Sequence, residues 1–362
     1  MPVVGKGQRK ILVIGEAPGA YEDQQNRPFV GKSGQLLQRT MLKYGVDLFR
    51  DCWVTNTLIC RPPDNRDPKA NELDSCLPSL VKVIRDLQPA VIMLLGRFAI
   101  TQVISMLWRS DVGTGFRWVG FQIPSVDWNA WVCPMLHPEF IERKSPADSV
   151  EGVLWRRHVE AACGLQGRPW AGNPPDYPSM VRTIHSPSQA AAAVHDFMGC
   201  GGPVAFDYES DRLKPDHPSA RIVSCSVSDG ETAVSFPWVG AAIDAMRDLL
   251  RSDVPKLAWN MKHEQRWTRA VFGHGVRNWL WDGMIATHVM DNRQGITSLK
   301  FQSLVRLGMG SYDETVSPYL RADSGNEQNR IAQADLRELL LYGGMDALFT
   351  AKICQQQMEE MG

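Results

Sequence analysis

Acidic side chains recur in the second half of the chain in a pattern that could bind metal ions. Asp207 and Glu209 lie two residues apart at the end of an apolar run, and a strand would direct both to one face. Glu264 ends a second motif, and Asp346 follows Tyr342 by one helical turn. Carboxylates are ligands that Mg²⁺ takes, and two ions about 4 Å apart can hydrolyse a phosphodiester. The sequence therefore predicts metal ligands at Asp207, Glu209, Glu264 and Asp346.

The elements around these residues are predicted from their periodicity. Short strands at 203–206, 221–228 and 231–237 form an antiparallel meander that is followed by helices. A helix begins after Ser186, whose hydroxyl can cap it, with Pro187 in its first turn. This order is typical of a ribonuclease-H-like mixed sheet covered by helices.

The second half resembles the 3′–5′ proofreading exonucleases of the DEDD class, in the tyrosine subtype found in family A DNA polymerases. The similarity covers roughly residues 180–362 and includes the segments 257–260, 281–288 and 295–300. It implies two divalent cations (Mg or Mn), with Asp207 bridging between them.

The same resemblance implies roles for the other residues of these motifs. Glu264 stands where the family usually has Asp, a longer arm that can hold its metal through water. Tyr342 would orient the attacking water, and Asn260 would contact the substrate.

The first half carries a different group of motifs at predicted strand ends. They are Gly15-Glu16-Ala17-Pro18-Gly19, Arg27-Pro28-Phe29-Val30-Gly31, Thr55-Asn56, the segment 60–68 and His137-Pro138. A base-excising enzyme needs an aromatic ring to stack the flipped base, an amide to read its edge and a donor that stabilises charge on the leaving base. Phe29, Asn56 and His137 could supply these three.

Strands and helices alternate in this half. Predicted strands lie at 10–14, 53–56, 91–95 and 131–136, with helices at 33–44 and 71–87. Alternation of this kind favours a parallel sheet covered on both faces, a three-layer α/β/α domain.

These motifs together resemble family 4 uracil-DNA glycosylases over roughly residues 8–160. The resemblance implies catalytic roles for Glu16, Glu22 and His137, and substrate contacts for Gly15, Phe29, Asn56 and Asn65. The two glutamates would position water or support cationic sugar character, and His137 would face a uracil carbonyl oxygen. Phe29 would stack on uracil, Asn56 would pair with its edge, and Asn65 would support the loop. Residues 139–141 would form an apolar wedge into the duplex, with Arg143 and Lys144 contacting phosphate.

The number of matching cysteines indicates whether the iron–sulfur cluster of that family can form here. Family 4 enzymes carry a 4Fe–4S cluster on four cysteines, and here Cys60 and Cys76 match two of the ligands. The earlier pair, a C-x-x-C ahead of the first strand, is missing because the chain starts too late. Since such a cluster needs four thiolates, we expect no complete cluster.

Composition bounds the remaining expectations. The 362 residues, 44% hydrophobic and 22% charged, suit two soluble globular domains, and no apolar run approaches the ~20 residues of a membrane helix. The stretch from 164 to 180 is rich in proline and glycine, which predicts domains at 1–163 and 181–362 with a linker between them. Eight scattered cysteines favour a reducing cytosol. The resemblance to phage replication proteins implies the cytoplasm of a bacterium or a phage-infected host. The net charge of −1 means that DNA affinity must come from local patches.

The predicted function is that of a phage-like DNA-processing protein with uracil excision and 3′ trimming in one chain. Its expected partners are uracil-containing DNA, DNA 3′ ends and a DNA polymerase. Four alternatives stay open: an inactive front domain that senses uracil, a DNA clamp without catalysis, an exoribonuclease, and the N-terminal part of a family A polymerase.

Overall fold

The computed structural model describes residues 1–144, 148–324 and 327–362. It divides into two compact units, Met1–Pro174 with Leu304–Ser311, and Pro175–Ser303 with Tyr312–Gly362. Among the described residues, no helix is both long and apolar enough to cross a membrane. The predicted domain boundaries, with domains at 1–163 and 181–362, stay predictions.

The first unit is built on a sheet in the order β2-β1-β3-β5-β4. Its strands are β1 (Ile11–Gly15), β2 (Cys52–Asn56), β3 (Val91–Leu95), β4 (Ile123–Ser125) and β5 (Ala130–Met135). The helices up to Pro174 are α1 (Ala20–Gln25), α2 (Lys32–Lys43), α3 (Ala70–Leu87), α4 (Arg97–Leu107), α5 (Pro138–Lys144) and α6 (Val150–Gly164), with 3₁₀ turns at Pro63–Asn65 and Gly115–Arg117. All strand pairs are parallel except β4 with β5.

Continuous apolar strands explain this sheet. Every residue of β1 and β3 is buried, as expected of parallel strands that are covered on both faces. Leu37 of α2 and Trp155 of α6 pack into the same core. The predicted α/β class is confirmed. The edge strand β4 and the helix α6 were not predicted, because three residues with an internal proline carry too little periodicity for the strand.

Past Pro174 the chain forms a second, mixed sheet in the order β11-β10-β7-β8-β9-β6. Its strands are β6 (Val181–Thr183), β7 (Val204–Ser210), β8 (Ile222–Ser228), β9 (Ala233–Pro237), β10 (Lys256–Ala258) and β11 (Trp279–Asp282). The helices are α7 (Pro187–Met198), α8 (Ala241–Arg251), α9 (Met261–Phe272), α10 (Gly283–Met290), α11 (Leu299–Leu307), α12 (Ser317–Leu320) and α13 (Leu336–Met361), with 3₁₀ turns at Tyr177–Met180 and Ile331–Gln333. The β7-β8-β9 meander is antiparallel, as predicted, and β6, β10 and β11 add parallel pairs.

Strand β7 is longer than predicted, and this changes the setting of the acidic motif. The strand predicted from the sequence ends at 206. In the structure, the ladder with β8 continues through Asp207 and Glu209, which pair with Ser226 and Ser224. Phe206 on the opposite face is buried in the core. Both carboxylates therefore lie on a rigid strand, held in register by a neighbouring strand.

Candidate active sites

Three predicted metal ligands converge in the second unit. Asp207, Glu209 and Asp346 each offer an oxygen, and these oxygens all lie within 4.8 Å of one another. Glu209 and Asp346 are buried, at 8% and 7% exposed. Within the described parts of the chain, this is the one group of three or more His, Cys, Asp or Glu side chains that meets this distance.

Two glycines let helix α13 come close enough to deliver Asp346. A Cβ on Gly344 would lie 2.3 Å from Val181 Cγ1, and one on Gly343 would lie 3.0 Å from Ser226 Oγ. Any larger side chain on this face would lift the helix off the sheet. Close approach of the helix thus brings Asp346 to the carboxylates of β7.

Burial and mutual repulsion shift the pKa values of these carboxylates upward. Burial, and secondly the charge of Asp346, raises the pKa of Asp207 to about 7. Burial also holds the pKa of Glu209 well above its ordinary value, with Asp207 and Asp346 adding to the effect. A bound divalent cation would relieve both the desolvation and the mutual repulsion.

Glu264 approaches this group without joining it. It is 2% exposed on α9, and burial followed by repulsion from Asp207 raises its pKa well above the ordinary value. Its Oε2 is buried and has no hydrogen-bond partner among the described residues. An orphaned buried carboxylate oxygen beside three others fits a cation ligand, directly or through water.

Tyr342 lies next to the carboxylates. Its hydroxyl accepts a hydrogen bond of 3.0 Å from Lys300 Nζ, and Lys300 also reaches both oxygens of Asp346. A second tyrosine, Tyr312, donates its hydroxyl to Asp346. The sequence reasoning missed both neighbours: Lys300 belongs to the 295–300 segment of the resemblance, but nothing gave it a role, and Tyr312 carried no signal.

Asn260 and Asp282 have structural positions near this site. Asn260 precedes α9 with a φ of 73°, a left-handed conformation that asparagine tolerates. Asp282 accepts hydrogen bonds from the backbone amides of Met261 and Met284, so it ties the starts of α9 and α10 together. A contact between Asn260 and substrate stays a prediction.

The predicted residues of the first unit also converge. A cleft of about 390 Å³ is lined by six of the seven, namely Glu16, Glu22, Phe29, Asn56, Asn65 and His137. Gly15, the seventh, lies behind it: a Cβ there would be 2.4 Å from Asn56 Oδ1 and 2.6 Å from Phe29 Cζ. The missing side chain at Gly15 is what lets the ring and the amide come together.

Phe29 and Asn56 are held in different ways. Phe29 has a φ of 57°, which is costly for an aromatic residue, and its carbonyl accepts a 2.8 Å hydrogen bond from Gln38 Nε2. Asn56 ends β2 and is 7% exposed. Among the residues that the structure describes, its side-chain amide has no hydrogen-bond partner. The amide is therefore able to pair with the edge of a base.

His137 is set up as a neutral donor. Burial lowers the pKa of His137 to about 4, so the ring is uncharged at neutral pH. The backbone amide of Glu139 donates to Nδ1 at 3.2 Å, which places the single ring proton on Nε2. A neutral N–H donor can stabilise negative charge that develops on a carbonyl oxygen.

The two glutamates differ in environment. Glu16 accepts a hydrogen bond from the Phe98 amide, and burial raises its pKa to about 7. Glu22 accepts a 2.8 Å bond from the amide of Gly31, which ties α1 to the loop that carries Phe29. This geometry gives Glu22 a positioning task besides its place in the cleft wall.

Asn65 supports its loop through a side-chain bond. Arg61 Nε donates to Asn65 Oδ1 at 2.7 Å, and Asn65 itself adopts a φ of 53°.

The predicted apolar wedge is wrong. Residues 139–141 lie in α5, where Ile141 is 5% exposed in the core and Phe140 packs against that core. Helix periodicity turns these apolar residues inward, leaving Glu139 and Arg143 outside as an ion pair. The side chain of Lys144 lies outside what the structure describes.

The cysteines present do not fit a 4Fe–4S cluster. Cys60 is exposed, Cys76 is partly exposed, and neither belongs to a converging group of three ligands among the described residues. Cys52 and Cys133 are buried in the core instead. No step below depends on a cluster.

The two halves match two different protein families. Residues 2–155 match the uracil DNA glycosylase superfamily, and residues 181–361 match the 3′–5′ exonuclease family of DNA polymerase A type. A type-4 uracil-DNA glycosylase of Thermotoga maritima is 33% identical over 146 residues, which are 39% of this chain and 71% of that protein. A type-4 uracil-DNA glycosylase of Pyrobaculum aerophilum is 41% identical over 109 residues, 30% of this chain. The chain spans 55% of the length of that second relative.

One relative extends across both halves. A DNA polymerase of Bacillus phage SP01 is 21% identical over 349 residues, covering 87% of this chain and 36% of that protein. Among solved structures, NrnC of Brucella melitensis with bound Mg²⁺ aligns with a TM-score of 0.36 at 17% identity, over 50% of this chain and 82% of that one. That last likeness is too distant to carry an argument. On the family matches, the chain belongs to the uracil-DNA glycosylase superfamily, with type-4 relatives, in its first half, and to the 3′–5′ exonuclease family in its second.

Proposed function

We propose that this protein removes uracil from DNA with its first unit and hydrolyses DNA from the 3′ end with its second. The observation that carries the nuclease part is the convergence of Asp207, Glu209 and Asp346 within 4.8 Å. The observation that carries the glycosylase part is the single cleft lined by the predicted residues.

In the nuclease site, Asp207, Glu209 and Asp346 would hold divalent ions, Mg²⁺ or Mn²⁺, with Glu264 completing the set. Bound ions would supply positive charge to the phosphate and a water of lowered pKa. The chain itself supplies Tyr342, whose hydroxyl adjoins Asp346 and would orient the water.

In the glycosylase site, each residue acts on a different part of a flipped nucleotide. Phe29 would stack on the base, and the Asn56 amide would select its edge. His137 would donate its Nε2 proton to the carbonyl oxygen on which charge develops as the glycosidic bond breaks. Glu16 would support the cationic sugar or position water on its other face.

The proposed partners follow from these two chemistries. They are uracil-containing DNA, DNA 3′ ends and a DNA polymerase, the last supported by the phage relative that aligns with both halves. The proposed setting is the cytoplasm of a bacterium or a phage-infected host.

A 5′-labelled oligonucleotide with one uracil tests both activities in a single series. In EDTA followed by alkali, we expect a strand break at the uracil, because excision needs no metal. Added Mg²⁺ should then produce a ladder of shortened 3′ ends. An intact strand in EDTA would refute the glycosylase part, and full-length product in Mg²⁺ would refute the nuclease part.

A matched RNA strand and an undamaged DNA strand separate the remaining alternatives. Preference for RNA in the trimming reaction would assign the second unit to RNA processing. Uracil-dependent binding without alkali-sensitive breaks would make the first unit a sensor.

A further inference from the structure

An ammonium group from the chain itself lies against one carboxylate of this site. Lys300 Nζ lies 2.9 Å and 3.0 Å from the two oxygens of Asp346, and 3.0 Å from the Tyr342 hydroxyl. The Lys300 side chain is 20% exposed and that of Asp346 is 10% exposed. Both oxygens of a predicted metal ligand are therefore already engaged by a positive charge from the chain itself.

Aromatic rings complete the surroundings of this ammonium. Nζ lies 4.2 Å from the ring centroid of Tyr342 and 4.5 Å from that of Tyr312. The two rings face each other with centroids 6.2 Å apart and planes 29° from parallel. Ring faces attract cations, and most strongly where water is excluded. Carboxylate, hydroxyl and two rings thus form a built site for one cation.

The positive charge of Lys300 affects how a metal ion can bind these carboxylates. Asp207, Glu209 and Asp346 bring three acidic groups within 4.8 Å of one another, and breaking a buried ion pair leaves an uncompensated charge. Lys300 supplies one compensating charge before any metal arrives. A divalent ion that binds Asp346 must then share or displace the ammonium, since both oxygens accept from it.

We propose that Lys300 is the resident cation of this site, which holds Asp346 and Tyr342 in place without metal and competes with divalent ions for Asp346. Lys300 is a positioning residue: an ammonium only donates, so the Tyr342 oxygen accepts from it and the tyrosine's own proton points elsewhere. The inference rests on the proposed metal-dependent function of the same carboxylates.

Metal affinity of Lys300→Met tests this directly. Calorimetric titration of the full chain with Mn²⁺ should give a Kd at least about threefold lower for Lys300→Met than for the wild type, because a competing charge is gone. Without metal the variant should melt at a lower temperature than the wild type, and Mn²⁺ should raise its melting temperature by more.

Lys352→Met is the matched control. Its side chain is also 20% exposed, and its Nζ lies 3.8 Å from Glu231 at the surface rather than in the carboxylate site. The Kd of this variant should stay within about twofold of the wild type. Lys300→Arg, which keeps the charge, should likewise show no tightening.

Equal or weaker Mn²⁺ binding by folded Lys300→Met would overturn the proposal, because a merely structural lysine can only weaken the site when it is lost. Absence of Mn²⁺ binding by the wild type would instead refute the proposed nuclease function. A second test measures the wild-type protein, so it does not require Lys300→Met to fold. In ¹³C-lysine-labelled protein, Mg²⁺ should shift the Lys300 Cε resonance, assigned through Lys300→Arg, and leave that of Lys352 in place. An unmoved Lys300 resonance at saturating Mg²⁺ would also overturn the proposal.

Discussion

Three carboxylates make up the proposed nuclease site, and Asp207 is one of the two that β7 carries. It pairs with Ser226 of the neighbouring strand β8. Asp346 raises the pKa of Asp207 and of Glu209, and Asp207 also raises that of Glu209, so the three side chains behave as one unit. Removal of any one should therefore affect the whole group.

Asp207→Ala should lower 3′ trimming by about a hundredfold or more while leaving uracil release at the wild-type rate. The reason is that metal binding needs this carboxylate and base excision needs no metal. Both rates can be measured on one labelled substrate, with Asp244→Ala as an exposed control. Loss of both activities would contradict independent sites.

Glu16 should impose a pH dependence on uracil release. Its pKa is about 7, so the carboxylate fraction rises with pH and levels off above that value, whereas His137, with a pKa of about 4, stays neutral throughout. If the carboxylate form is the active one, the rate should rise about tenfold per pH unit below about pH 6.5 and then reach a plateau.

Glu16→Gln cannot ionise, so its excision rate should be lower and flat over the same pH range. The pH–rate profiles of both proteins provide the measurement. A slope that persists in Glu16→Gln would assign the titration to another group.

Phe29→Ala should weaken uracil release by about 1–3 kcal/mol, the value of base–aromatic stacking. Single-turnover rates on a uracil-containing strand measure this loss. Phe116→Ala, a change at a ring that is 62% exposed, serves as the control. A wild-type rate in Phe29→Ala would remove this ring from the base pocket.

At the scale of elements, helix α13 decides whether the nuclease site exists. It carries Tyr342 and Asp346. Gly343 on the same helix lets it lie close to β7 and β8, and Gly344 lets it lie close to β6 and β9. The glycines weaken the helix by about 1 kcal/mol each relative to alanine, a cost that close packing must offset.

Gly344→Ala should destabilise the protein by about 1–3 kcal/mol and reduce 3′ trimming, because the new methyl would overlap Val181 and push the helix outward. Gly164→Ala is the matched control: it lies in α6 with no neighbour within 4 Å of its Cβ position. That change should stabilise slightly or have no effect. Urea unfolding measures both, and equal effects at the two positions would contradict the packing argument.

At the scale of the whole molecule, two chemistries with different requirements share one chain. In the proposed function, uracil excision would depend on a neutral histidine and a stacked ring, and 3′ trimming would depend on divalent ions. Chelation should thus separate the two activities in the intact protein without any mutation.

The purified protein should lack the brown absorbance of an iron–sulfur cluster. Cys60 and Cys76 are two cysteines where four thiolates are needed, and the described cysteines do not converge. Iron analysis and the visible spectrum of protein purified without oxygen provide the check. Iron at about four atoms per chain would show that the ligand assignment is wrong.

Residue types and strand periodicity predicted four of the five strands of the first sheet and the β7-β8-β9 meander of the second. Val91–Leu95 was predicted to the residue, because a continuous apolar run between Pro89 and Gly96 has clear ends. The Asp207 and Glu209 pair was assigned to one face from strand alternation alone. The prediction of an apolar wedge at 139–141 was wrong because these residues lie in a helix. Helical periodicity turns Phe140 and Ile141 toward the core.

The sequence by itself determined the chemistry of this protein, because carboxylates, an aromatic ring, an amide and a histidine limit what a site can do. Only the tertiary structure decided which side chains share a site. It brought Lys300 and Tyr312 onto Asp346 from distant segments, left Glu264 beside the converging group, and gave Glu22 a bond to the Phe29 loop. Contacts between distant segments depend on how closely helices and strands pack, and packing is set by the whole core rather than by any local motif.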